Sequence, residues 1–411
     1  MNILIVNATW YPSGGDWTYV NSITQLYEKH GHTIIPFAMK NEKNLPTKFE
    51  KYFIDKIDYN ELNKDKGILN SFNVLLKSIY SMEAVKKINE LLDNHKVDIA
   101  QLNNIHNIQT PGIIPVLKKR KIPIVWRVLD YKLLCPNRTF LSNGLVCEKC
   151  FKTKYYNCLV NKCKKNSYPA SFVASIESYF NKFAPFYDKV DIFLFQSEFS
   201  RNLFVKYGFD INKTKIIENP YNCDNIIPQF TIKKSDRYIL YFGRISKEKG
   251  LFTLFDAMKN LGDIKLIVVG DGPDSEECLN YIRNIKNISF IGPKWETDLT
   301  PILKNCEFVV VPSIWYDPNP YVVLQSFSFG KPVIASRIGG LVDMISNHVN
   351  GILFDANDSS NLSVSIKDLY FNQSKILELG RNARIEVEKK YNPNNYYLSS
   401  IKIFDNLINK N

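Results

Sequence analysis

The chain has 411 residues, 45% of them hydrophobic and 23% charged, a globular composition long enough for two cores of about 200 residues each. No apolar run approaches the roughly 18 residues a membrane-spanning helix needs. The formal net charge of +12 is uneven: residues 1–230 hold 31 Lys and Arg against 21 Asp and Glu, and residues 231–411 hold 22 against 20. A surplus confined to one half suits an anionic membrane, a phosphorylated acceptor or simply a solvated basic face. No reading helix, RNA-binding signature or metal-finger repeat accompanies it, so nucleic acid is not an expected partner.

The first ten residues, MNILIVNATW, carry no basic leader, and Asn7 interrupts their apolar stretch. They read as a buried first strand rather than a signal peptide, which implies a cytoplasmic protein. Further apolar runs at 33–37, 98–102, 122–128 and 190–195 read as buried strands, with helical periodicity at 69–92 and 171–187. Residues 41–66 are polar with scattered aromatics and read as a long insertion. The strand pattern restarts at 238–242, 264–269, 288–291, 308–311, 332–335 and 351–354, after a Pro- and Asn-containing hinge at 219–234. The expected fold is therefore α/β, two doubly wound Rossmann-like domains facing a central cleft, divided at 1–222 and 223–393. The first domain carries an insertion at 135–165, and a terminal helix over 394–411 is expected to pack back on it.

Two stretches concentrate the chemistry. In YILYFGRISKEKG, 238–250, a strand ends at Gly243, Arg244 follows, and Lys247 and Lys249 lead into a helix near Gly250. A guanidinium and an ammonium at a strand end and a helix N-terminus suit a diphosphate, although such residues are also common as plain surface charge. In 309–340, the turn Trp315-Tyr316-Asp317-Pro318-Asn319-Pro320 opens a helix over 321–329. Its prolines pre-set the backbone and leave first-turn amides free for a ligand. Gln325 lies eight residues after Asp317; the alternative is a core helix with Gln325 merely solvated. Elsewhere Cys147, Cys150, Cys158 and Cys163 put four sulfurs within 17 positions of a lysine-rich loop, a pattern open to structural zinc, disulfides or free thiols. His106 follows a strand end and is an acceptor-site candidate.

GRISKEKG, VVGDGP, the Pro-Ser-x-Trp-Tyr turn and GKPVIASRIGG, taken in order, resemble the retaining family 4 glycosyltransferases of the GT-B fold. Gly14-Gly15 after the first strand and Gly31-His32 before the second agree. The segment DYKLLCPN, 130–137, matches the members with a cysteine-rich insertion. The resemblance implies that Arg244 and Lys249 hold the donor diphosphate, with the Gly14-Gly15 backbone approaching from the other domain. It implies that Asn319, Pro320 and Tyr321 meet the transferred sugar, and that Gly292-Pro293 sits beside the base. The donor would be a UDP- or GDP-sugar and the acceptor a saccharide or polyprenyl-linked saccharide. The setting would be bacterial surface polysaccharide synthesis, with no catalytic metal. Lys249→Ala would then weaken nucleotide-sugar binding, nearly abolish transfer and leave thermal stability almost unchanged.

The sequence departs from that family at three positions. Its pair of glutamates spaced eight apart is here Asp317 and Gln325, and its usual His before Asp-Tyr is Leu129. Retaining transfer by front-face attack, in which a leaving phosphate oxygen takes the acceptor proton, depends on positioning and anion stabilisation more than on a protein base. Asp317, Arg244, Lys249 and Asp130 are the candidate catalytic residues, with Tyr131 and Arg138 joining His106 at the acceptor. The rival readings are a GT-B sugar-nucleotide epimerase and a non-catalytic, nucleotide-sugar-binding assembly subunit. The lysine groups 118–121 and 152–165 are the candidate contacts for an anionic membrane.

Overall fold

A computed structural model describes residues 1–55, 77, 79–230 and 237–410. The expected insertion and first long helix fall partly outside these residues; the helix that is described runs Met82–Asn94.

The first sheet contains β1 (Asn2–Val6), β2 (Thr33–Phe37), β3 (Ile99–Leu102), β4 (Ile124–Arg127), β7 (Ile192–Phe195) and β8 (Thr214–Ile216), in the order β2-β1-β3-β4-β7-β8. A short antiparallel hairpin, β5 (Leu141–Ser142) and β6 (Leu145–Val146), stands apart from it. The second sheet contains β9 (Ile239–Phe242), β10 (Leu266–Val269), β11 (Ile288–Phe290), β12 (Val309–Val311), β13 (Val333–Ser336) and β14 (Gly351–Phe354), in the order β11-β10-β9-β12-β13-β14. Every neighbouring pair in both sheets is parallel. Such sheets need helices on both faces, which is why these strands read as continuous apolar runs rather than alternating ones. Each sheet accordingly has one apolar core on either side. The two-domain α/β architecture expected from the alternating pattern is the one found.

Strand order reverses between β1 and β3 in the first sheet and between β9 and β12 in the second. Crevices at these reversal points, outside the carboxyl ends of the strands, are where doubly wound sheets bind ligands. The last helix, Pro393–Ile408, returns to the first domain. The Tyr19 and Tyr396 hydroxyls lie 2.5 Å apart, and Tyr397 stacks on His30 with ring centroids 3.6 Å apart. The edge strand β8 was not anticipated, because Thr-Lys-Ile shows no apolar run.

Candidate active site

The donor side is built where β9 and β12 diverge. β9 ends at Phe242, and Arg244 follows it, exposed and with its guanidinium paired to no described residue. A 3-10 turn, Lys247–Lys249, then leads through Gly250 into the helix Leu251–Met258. Gly250 has φ 71°, and a Cβ there would lie 1.9 Å from the Pro312 carbonyl oxygen at the end of β12. Only glycine lets the lysine turn press this closely against the neighbouring strand.

That approach brings Lys249 to the opposite loop, where its Nζ lies 2.5 Å from Asp317 Oδ2 and 5.5 Å from the Trp315 ring centroid. Ser313 Oγ donates to the same carboxylate oxygen at 3.3 Å. Asp317 is 4% exposed, so its charge is held by these two partners rather than by water. The loop is clamped from behind: the Gly340 amide donates to the Asp317 carbonyl at 2.7 Å, and a Cβ on Gly340 would meet the Pro318 carbonyl oxygen at 1.8 Å. The helix Tyr321–Ser328 starts immediately beyond, at Pro320, with no side chain capping it. The Val323 amide donates to the Pro320 carbonyl at 3.1 Å, and the Tyr321 and Val322 amides keep their capacity for an anionic ligand. Gln325 is half-buried in that helix, and its amide makes no hydrogen bond to a described residue. Gly292, with φ 71°, and exposed Pro293 close the edge beyond β11.

Two attachments tie this loop to the first domain, and neither was visible in the sequence. Arg127, at the end of β4, is fully buried. Its guanidinium donates to the Ile217 carbonyl at 2.6 Å, the Phe195 carbonyl at 3.3 Å and Asn219 Oδ1 at 2.7 Å. Asn219 in turn donates to Asn319 Oδ1 at 3.0 Å. The only hint of this relay was an arginine ending an apolar strand. The second attachment is Tyr316, whose ring packs among Phe199, Phe140 and Tyr131 at centroid distances of 4.8, 5.8 and 6.3 Å. Its hydroxyl donates to Glu148 Oε1 at 3.0 Å, while Lys206 holds Glu148 Oε2 at 2.6 Å. Burial first, and then the Glu148 carboxylate, push the Tyr316 phenol up to about 12.

On the first-domain side, Gly14 (φ 122°) starts the helix Gly15–Lys29, and a Cβ on either glycine would meet nothing within 4 Å. The space in front of this helix end is open. Asp16, in its first turn, accepts from Asn104 at 2.9 Å, and burial raises its pKa against that hydrogen bond. A small cavity beyond β3 and β4 is lined by Asn103, His106, Trp126, Leu129, Asp130 and Leu133. His106 is 5% exposed, its Nδ1 has no partner among the described residues, and burial pushes its pKa down to about 3, so the imidazole is neutral at physiological pH. Arg138 Nε stands 3.6 Å from Asp130 Oδ2. The structure thus gathers His106, Asp130 and Arg138, whereas Tyr131 is buried with its hydroxyl 3.1 Å from Ser200 Oγ and forms the wall behind Tyr316.

All eight cysteines are free thiols. Cys150, Cys158 and Cys163 share a small core with Tyr155, Ala174 and Tyr179. Among the described residues no group of three or more His, Cys, Asp or Glu is arranged to hold a metal ion. The Cys163 thiol is lowered, chiefly by a hydrogen bond from Cys158.

Residues 223–386 match the family model described as Glycosyl transferases group 1. Over 170 residues the chain is 29% identical to the uncharacterized glycosyltransferase MJ1178 of Methanocaldococcus jannaschii, a match covering 41% of this chain and 48%, about half, of that relative. It is 24% identical over 408 residues to the N,N'-diacetylbacillosaminyl-diphospho-undecaprenol alpha-1,3-N-acetylgalactosaminyltransferase of Campylobacter jejuni, covering 92% of this chain and 97% of that one. Among solved structures, Anabaena Alr3699/HepE in complex with UDP aligns with TM-score 0.65 over 99% of this chain and 100% of its own, at 16% identity, a likeness of fold. The match to the group 1 glycosyl transferase model thus falls on the second domain, in a chain that shares its two-domain Rossmann-like fold with this structural neighbour.

Proposed function

We propose that the chain is a glycosyltransferase that moves a sugar, with retention, from a UDP- or GDP-sugar to a saccharide or polyprenyl-linked saccharide in bacterial surface polysaccharide synthesis. The observation that carries this reading is the Lys249–Asp317 pair beside an uncapped helix start at the carboxyl edge of the second sheet, the edge where Arg244 follows the end of β9. Two cations and free amides at one edge form a receptor for a diphosphate, and they stabilise the charge that develops on it as the sugar departs. Asp317 orients Lys249 and keeps that cation from collapsing elsewhere. The acceptor enters over Asp130, Arg138 and His106, and its hydroxyl proton passes to a leaving phosphate oxygen. No protein base is then required, which accommodates Leu129 in the cavity wall. Support for the donor comes from the UDP bound by the structural neighbour. Support for a polyprenyl-linked acceptor comes from the undecaprenol substrate in the Campylobacter relative's name.

The second reading, a binding subunit without turnover, is favoured by one feature: Lys249 is already neutralised by a buried carboxylate. A panel of UDP- and GDP-sugars, with and without saccharide acceptors, separates the possibilities. Acceptor-dependent release of nucleotide with the anomeric configuration kept supports transfer. Turnover without acceptor indicates an epimerase, and binding without turnover indicates the subunit.

A further inference from the structure

The helix Tyr168–Phe183 is inside out. Its buried positions are Ser171, Ala174, Ser175, Glu177, Ser178 and Asn181, of which one is apolar. Its exposed positions are mostly the reverse: beside Pro169 and Lys182 they are Tyr168 at 55%, Phe172 at 49%, Ile176 at 37%, Phe180 at 40% and Phe183 at 76%. Steps of four residues advance about 400° around a helix, so the first four form one slowly turning stripe, which Phe183 continues. An ordinary surface helix turns its apolar stripe to the core. This one can bury its polar face because most of that face is satisfied, Asn181 Oδ1 being without a partner among the described residues. Glu177 forms a buried ion pair with Lys132 at 2.8 Å, and Ser175 Oγ donates to the Tyr155 carbonyl at 3.0 Å. Ser171 Oγ accepts from the Lys164 amide at 3.0 Å. The polar face is thereby fixed inward, and the aromatic face has no alternative but the outside.

The surroundings of the stripe are basic. Residues 149–190 contain eight lysines and two acids, Glu177 and Asp188, and Glu177 is the one spent on Lys132. Lys162 stands over the Tyr168 ring at 4.4 Å, so cation and stripe share a surface. The helix Tyr156–Val160, packed alongside, adds exposed Tyr156 and Val160. No helix among the described residues is long and apolar enough to cross a membrane.

We propose that this helix docks on an anionic lipid bilayer, with the aromatic stripe at the boundary of headgroups and acyl chains and the lysines on the lipid phosphates. Aromatic rings flanked by lysines match that interface in both polarity and charge. A second copy of the chain fits less well, because an isologous contact would bring the same lysine surplus against itself. The inference does not depend on the donor chemistry. It also gives the proposed function a place to meet a lipid-borne acceptor, since the Lys132–Glu177 pair joins the helix to the segment carrying Asp130.

The test is co-sedimentation of the full chain with vesicles of phosphatidylcholine, with and without phosphatidylglycerol. Binding should require the anionic lipid, weaken with salt, and fall at least about tenfold in the triple variant Phe172→Ser/Phe180→Ser/Phe183→Ser. The variant should retain its thermal midpoint and its affinity for UDP, which separates loss of docking from failure of the donor site. Should the triple variant fail to fold, Phe180→Trp with bromine-labelled lipids reads the same contact, and quenching is expected. Unchanged binding by the triple variant, or an unquenched Trp on bound protein, would overturn the proposal. So would a dimer that the same variant converts to monomer.

Discussion

The two sheets are both parallel and doubly wound, but they differ in strand order and line their carboxyl edges differently. The second edge is made largely of main chain: Gly250 and Gly340 admit backbone approaches that any Cβ would block, and the helix at Pro320 offers the Tyr321 and Val322 amides. The first edge is made of side chains, with Asp16, Asn104, His106, Asp130 and Arg138 drawn from segments far apart in sequence. A backbone receptor fits a constant group such as a diphosphate, whereas a side-chain receptor can be altered to suit a particular acceptor.

The largest expected effect is at the junction of the two edges. Lys249→Ala should cut transfer by orders of magnitude. It should also destabilise the chain by roughly 1–3 kcal/mol, because Asp317 is left buried without its cation. That revises the expectation of unchanged stability, which treated Lys249 as free. Denaturant unfolding measures the second part, and an unchanged midpoint would mean that Asp317 finds another partner.

Next in size is the relay from the first domain. Arg127→Met should cost about 2 kcal/mol, leaving Asn219 and the Ile217 carbonyl short of a donor. It should raise KM for the donor through the freed Asn319, and a change in stability alone would sever the relay from the site. A similar effect, with a pH signature, belongs to His106. Its pKa in the folded chain lies below the unfolded value, so the unfolded chain takes up the proton first on acidification. Stability is full above about pH 6.5 and drains as pH falls toward 3. His106→Gln should therefore remove about 2 kcal/mol of the stability lost between about pH 7 and pH 5. Identical pH profiles for the two proteins would contradict a buried neutral imidazole.

This contrast also explains what the sequence disclosed. The Gly250 turn and the Asp317 loop were legible because close backbone packing dictates local residue types at fixed spacing. Strand positions other than the edge strand β8 in the two parallel sheets were legible too, since both faces of a parallel sheet are covered. Arg127, Glu148 and Tyr316 were not, because their partners lie about 70 to 170 residues away and nothing in the local pattern announces them. The helix at 168–183 was anticipated near its observed place, but its reversed polarity was missed. Periodicity reports that a helix is amphipathic without saying which face the fold will bury.

Smaller effects sharpen the clasp and the donor contact. Tyr316→Phe should cost about 1 kcal/mol and raise donor KM modestly, with the same change seen for Glu148→Gln. A double-mutant cycle giving no coupling would remove the clasp. Gln325→Glu should tighten donor binding by about 1 kcal/mol if that side chain meets the ribose, and weaker binding would exclude the contact. The zinc expected from cysteine spacing is decided by metal analysis of reduced protein: about one zinc per chain supports it, and none leaves the free thiols of the structure.

The central claim is that Arg244 and Lys249 form the donor diphosphate site. Calorimetric titration of UDP and GDP into the wild type, Arg244→Ala and Lys249→Ala tests it most directly. The expected result is binding of one of the two nucleotides by the wild type and a loss of at least about tenfold in each variant. Undiminished affinity in both variants would contradict the claim.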